Sequence, residues 1–99
     1  MNIKISYATL KDLPYLKKND NHIDSKILKR KISNKEVIIV KDNKNYVGWL
    51  RFGYFWDMIP FMNMLVLEDK YQRKGIGTEI VKFWEKGKDF HRHQAKVGS

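Results

Sequence analysis

Between Leu65 and Thr78 a strand-like pattern gives way to a helical one, and the joint is polar, basic and glycine-bearing: Glu68-Asp69-Lys70-Tyr71-Gln72-Arg73-Lys74-Gly75-Ile76-Gly77-Thr78. Beyond it, Ile76, Ile80 and Trp84 recur at i, i+4 and i+8 with Val81 beside them, which predicts a helix with one buried face. Gly87 stands where such a helix would be capped. A helix leaves its first N–H groups unpaired, and its dipole makes that end positive. Glycine lets a ligand approach the backbone closely, because no Cβ stands in the way. The joint therefore predicts an anion site of the kind that cradles a pyrophosphate. It is not the dinucleotide fingerprint, which needs three spaced glycines, nor a P-loop, which needs Gly-Lys-Ser/Thr after four intervening residues.

Upstream, the sequence alternates strand and helix signals. Ile3, Ile5 and Tyr7 alternate with Lys4 and Ser6, the period of a half-buried strand. A helix follows through Leu10, Leu13 and Leu16, with Thr9 or Asp12 as N-cap; Pro14 fits only a first turn and favours the start at Asp12. Asp24 or Ser25 caps a second helix with the apolar stripe Ile23, Ile27, Leu28 and Ile32. Glu36 to Lys41, centred on Val37-Ile38-Ile39-Val40, is a buried strand, and Asp42 to Asn45 is turn chemistry. A long strand from Tyr46 to Trp56 carries two glycines, Gly48 and Gly53, which in a strand mark a bulge or a close backbone approach. Alternation assigns Phe52, Tyr54 and Trp56 to one face and Trp49, Gly53 and Phe55 to the other. Asp57 to Pro60 turns the chain into a further strand, Phe61 to Leu67, in which Asn63 is a buried polar group in need of a partner. The expected architecture is one α/β (α+β) domain over residues 1–99, its sheet mostly antiparallel, with an irregular tail from Asp89 to Ser99.

Composition narrows the function classes. The 99 residues contain no cysteine, which excludes disulfides, thiolate zinc sites and a cysteine nucleophile and fits a cytoplasmic setting. No apolar run approaches the roughly 20 residues of a membrane span. Twenty basic against eleven acidic residues give a net charge of +9. Such a surface attracts nucleic acid or polyphosphate ligands. The lysines are scattered, however, with Lys29-Arg30-Lys31 the one compact run, which argues against a nucleic-acid footprint. His91 and His93 flank Arg92 with only Asp89 near, a poor ligand set for a metal, and His22 stands alone.

The segment Gln72-Arg73-Lys74-Gly75-Ile76-Gly77 resembles the acetyl-coenzyme A signature of the GNAT N-acetyltransferase family, Gln/Arg-x-x-Gly-x-Gly/Ala. In that family the signature follows the fourth strand and opens the third helix, after a strand, two helices and a three-strand antiparallel run. The order here is the same, and the resemblance covers residues 1 to 88. It implies a central sheet flanked by helices and acetyl transfer from acetyl-CoA to a primary amine of a small molecule or peptide. The amides from Arg73 to Thr78, including Lys74, Gly75, Ile76 and Gly77, would hold the pyrophosphate behind Gln72. Strand backbone at Leu65 and Leu67, with Val66 between them, would bind the pantetheine arm. Glu68 and Asp57 are the positional candidates for the base, and Asn63 for orienting substrate or water. Family members continue with a fifth strand, another helix and a closing hairpin, so the resemblance also implies a C-terminally truncated domain without the usual thiolate acid. The alternative is an incomplete coenzyme A-binding module without turnover. An uncovered edge on the strand Phe61 to Leu67 then implies a homodimer.

Overall fold

The computed structural model describes every residue except His22, Asp57 and Ser99, and the side chains of those described other than Phe55 and residues 88–98. Four strands form one sheet in the order β1-β2-β3-β4: β1 Ile3–Tyr7, β2 Val37–Asp42, β3 Asn45–Phe55 and β4 Ile59–Leu67. Every pairing is antiparallel. Helices α1, Leu13–Asn19, and α2, Ser25–Ser33, connect β1 to β2, and α3, Ile76–Gly98, follows β4.

The sheet is buried on both faces, which is why β2 reads as the continuous apolar run Val37-Ile38-Ile39-Val40. On one face Ile38, Leu50 and Phe52 pack with Ile76, Ile80 and Trp84 of α3. On the other Ile39 and Trp49 pack with Leu16 of α1 and with Leu28 and Ile32 of α2. The helical periods read from the sequence thus point at the sheet from opposite sides.

Both candidate caps near the first helix act. Thr9 and Asp12 form a reciprocal capping box around a 3-10 turn, Leu10–Asp12, and α1 starts at Leu13 with Pro14 in its first turn. Asp24 caps α2 by accepting the Lys26 N–H. Gly48 is a close-approach glycine: a Cβ there would overlap the Val66 carbonyl oxygen of β4.

Three expectations are corrected. Strand β4 begins at Ile59 and includes Pro60, paired with Tyr54; a proline fits here because β4 is an edge strand. Trp56 leaves the strand face: it has φ of 51° just after β3 and is 83 % exposed. Gly87 does not end α3, which continues to Gly98 through the stretch expected to be irregular. That stretch holds no proline, and Gly87 serves packing instead, since a Cβ on it would strike the hydroxyl of Tyr7.

Candidate functional site

The turn between β4 and α3 is braced from below. A 3-10 turn, Asp69–Tyr71, buries Tyr71, whose hydroxyl donates to Asp42 Oδ2 at 3.1 Å. Gln72 lies across the strand end, its Nε2 donating to Leu67 O at 3.1 Å and to Asp69 Oδ1 at 3.4 Å. Beyond it Arg73 and Gly75 adopt positive φ, 61° and 78°. Left-handed residues in a loop allow successive N–H groups to turn toward one side and form an anion-binding concavity. The N–H groups of Arg73 through Thr78 donate to no group among the described residues, and the first loop-to-helix bond runs from Glu79 N to Gly75 O. No atom lies within 4 Å of a Cβ built on Gly75, so the space above the loop is open. Ile76 is buried and anchors the helix start, while Arg73, Lys74 and Thr78 are exposed. The loop residues expected to hold a pyrophosphate therefore stand together, and the Gln72 side chain braces the start of the loop.

The edge of β4 continues this site. Glu68 N–H donates inward to Val47 O at 2.7 Å, so by strand alternation Leu67 and Leu65 turn their backbone groups to the outer edge, where the Leu67 carbonyl accepts from Gln72. Val66 points its carbonyl inward against Gly48. Further along, Arg51 pairs with Met64 but Phe52 pairs with Met62, which leaves Asn63 as the extra residue of a β-bulge. Asn63 is exposed, not buried as its apolar neighbours suggested, because the bulge lifts it out of the ladder.

Asn63 lines a cavity of about 680 Å³ between α2 and the β3–β4 pair, with Ile23, Ile27, Lys31, Glu36 and Arg51 among the other walls. Two ion pairs shape it. Arg51 Nε holds Asp20 Oδ2 at 2.9 Å, the Asp20 side chain being wholly buried. Lys31 Nζ stands 3.4 Å from Glu36 Oε1, and both are largely covered. Neither pair is visible in the sequence, where 31 positions separate Arg51 from Asp20.

Glu68 belongs elsewhere. It lines a second cavity of about 470 Å³ with Asn45, Tyr46, Asp69 and Lys70. Its Oε1 accepts from the Tyr15 hydroxyl at 2.6 Å, and burial, reinforced by this carboxylate, pushes the Tyr15 phenol well above its ordinary range. The Tyr15 ring stacks on Tyr46 at 3.9 Å between centroids. Tyr46 in turn donates to Asp12 Oδ1 at 2.9 Å, and Lys41 pairs with the same oxygen at 3.1 Å. Burial works to raise the Asp12 carboxyl, but the bonds from Thr9, Lys41 and Tyr46 outweigh it and hold it below its ordinary value. The two candidate catalytic residues, Glu68 and Asn63, therefore do not meet in one cavity. Asp57 and His22 lie outside the described residues, as do the side chains of His91 and His93. Among the described residues no cluster suits a metal ion, and no helix is long and apolar enough to cross a membrane.

The fold is shared with solved structures. A GNAT family acetyltransferase from Bacillus cereus superposes with a TM-score of 0.66 at 18 % identity, over 84 % of this chain and 62 % of that one. N-acetylglutamate synthase from Neisseria gonorrhoeae, complexed with coenzyme A and N-acetyl-glutamate, gives 0.76 at 17 %, over 92 % of this chain and 23 % of that one. PaiA N-acetyltransferase from Thermoplasma acidophilum, in complex with coenzyme A, gives 0.70 at 15 %, over 90 % and 73 %. The chain thus spans less than two thirds of the first two. The sequence has no match among curated proteins. The model of the acetyltransferase (GNAT) family matches residues 6–94, from β1 into the last turns of α3 and across the whole glycine loop. With its loop, sheet order and sequence in agreement, the chain belongs to the GNAT acetyltransferase family.

Proposed function

We propose that this chain is the acetyl-CoA-binding part of an N-acetyltransferase that acylates a primary amine. The observation that carries this reading is the run of unpaired N–H groups from Arg73 to Thr78 over open space, at the positive end of a long helix. The pyrophosphate sits on that loop, and the pantetheine arm lies along the open edge at Leu65 and Leu67. The thioester then reaches the bulge at Asn63, beside the 680 Å³ cavity, where the amine waits. The neutral amine attacks the thioester carbon, a C–N bond forms, the C–S bond breaks, the acylated nitrogen sheds its surplus proton to solvent, and coenzyme A leaves as the thiolate to be protonated by solvent. Asn63 orients the amine. The proton lost from the ammonium passes through water to Glu36, the carboxylate of that cavity; Glu68, held by Tyr15 in the other cavity, fixes α1 to the strand end instead. A cytoplasmic setting fits the absence of cysteine.

The test is calorimetric. Gly75→Glu introduces a side chain and a negative charge where phosphate oxygens would sit, at a φ that only glycine adopts readily, and acetyl-CoA binding should disappear. Arg73→Ala should weaken it only a few-fold, because the backbone does the cradling. Wild-type affinity in Gly75→Glu refutes the site. Thiol release with a panel of amines then separates turnover from binding alone.

We further propose a two-fold homodimer that uses only the first half of the β4 edge. The exposed apolar side chains Trp56, Met58, Ile59 and Met62 lie on the N-terminal side of the bulge, while the coenzyme edge lies on the other.

A further inference from the structure

Resting on the reading that the cavity beside Asn63 receives the acceptor, we infer that this acceptor carries a carboxylate about one strand spacing from its amine, gripped by Arg51 and Lys31. Two of the three guanidinium nitrogens of Arg51 are occupied: Nε and Nη2 face Asp20, and Nη2 also meets the Met64 sulfur at 3.5 Å. Nη1 has no partner among the described residues, although the side chain is only 11 % exposed and lines the cavity. A guanidinium is always charged, and its planar fork matches a carboxylate. With Asp20 fixing one side, the remaining donor is held in place and free to take an acceptor from the cavity.

Lys31 supplies the second grip. Its side chain is 13 % exposed and its ammonium has three donors, of which Glu36 takes one at a long 3.4 Å. It lies over the sheet at Gly53, where the position of a Cβ is 3.4 Å from Lys31 Nζ and from Phe61 Cζ. The Lys31 ammonium and the Phe61 ring therefore lie side by side over the Gly53 backbone, at the wall of the cavity. Glu36 adds an acidic charge to the wall, but Lys31 opposes it. Arg51 stands on β3 and Asn63 on β4, neighbouring strands about 5 Å apart. A short amino acid spans that gap with its ammonium toward the bulge and its carboxylate over β3, and Ile23 and Ile27 cover its methylenes.

The experiment is titration of the coenzyme A-loaded chain, which cannot turn over, with ω-amino acids from glycine to 6-aminohexanoate. Each is compared with the alkylamine that lacks its carboxylate. At least one acid should bind about ten-fold or more tighter than its amine, the effect of a charge-assisted hydrogen bond in a covered site. That advantage should vanish in Lys31→Met, which keeps the apolar stem, and fall several-fold in Arg51→Lys, which keeps a charge against Asp20 but loses the fork. Coenzyme affinity, read on the same samples, should not change and reports folding of each variant. Normal coenzyme binding with no acid preference overturns this inference and leaves the proposed activity standing. A preference that survives both substitutions also overturns it, assigning the effect to the general positive charge of the surface. Failure of the wild-type chain to bind coenzyme A overturns the underlying reading and this inference with it.

Discussion

Glycines that look alike in the sequence do different work in the fold. Gly75 is required by its backbone angle and has empty space above it, so its substitution should cost binding and, through the strained φ, about 1–2 kcal/mol of stability. Gly48 faces the opposite constraint: β3 and β4 approach so closely that any Cβ meets the Val66 carbonyl. Gly48→Ala should therefore destabilise the chain by about 2 kcal/mol or more, the scale of an overpacked core. Urea unfolding would show this as a lower midpoint at unchanged slope, and an unchanged midpoint would mean that the strands separate more easily than their register implies. Asn63 shows the limit of reading a residue from its neighbours. Six apolar companions suggested burial, yet one extra residue in the ladder turned it out to a cavity wall.

At the level of elements, α3 and the β1–α1 connection hold the two faces of the sheet. Gly87 sits in the middle of α3, where glycine costs a helix roughly 1 kcal/mol relative to alanine. The Tyr7 hydroxyl occupies the space a methyl group would need, and the Tyr7 ring packs on Phe83 with centroids 5.4 Å apart. Gly87→Ala should thus be neutral or destabilising in the wild type but stabilising in Tyr7→Phe. A double-mutant cycle should give a coupling of about 1 kcal/mol, and additivity would contradict the contact. On the other face Asp12 closes the capping box and receives Tyr46 and Lys41. Asp12→Asn should cost about 1–3 kcal/mol. Since the folded Asp12 carboxyl ionises below its ordinary value of 3.8, the folded chain binds fewer protons there than the unfolded one. Its contribution is then complete above that ordinary value and lost as pH falls through the lower folded one. Acid unfolding followed by circular dichroism should show this pH dependence in the wild type and lose part of it in Asp12→Asn.

For the whole molecule, the proposed function asks the β4 edge to serve two partners. In that proposal its second half, at Leu65 and Leu67, takes the coenzyme, and its first half, with the exposed Ile59 and Met62, a second copy. Light scattering at micromolar concentration should report a dimer, and Ile59→Lys should shift it to monomer by placing a charge on the pairing edge. Saturating coenzyme A should leave the dimer intact. A wild-type monomer, or a dimer that coenzyme A dissociates, would contradict this division of the edge.

The sequence alone determined the order and type of the elements, because each depends on local period and capping: the Val37–Val40 run, the Ile76-Ile80-Trp84 stripe, the Thr9 and Asp24 caps and the glycine loop. It also pointed to the loop whose N–H groups the structure leaves unpaired among the described residues, since a loop that opens a helix presents consecutive backbone donors. The cavity beside Asn63 was decided by the tertiary structure. Its Arg51–Asp20 and Lys31–Glu36 pairs and the Tyr15–Glu68 bond depend on which strand lies beside which, and at what register. The bulge that presents Asn63 arises from a mismatch between two strands, a property of the pair that neither strand carries by itself.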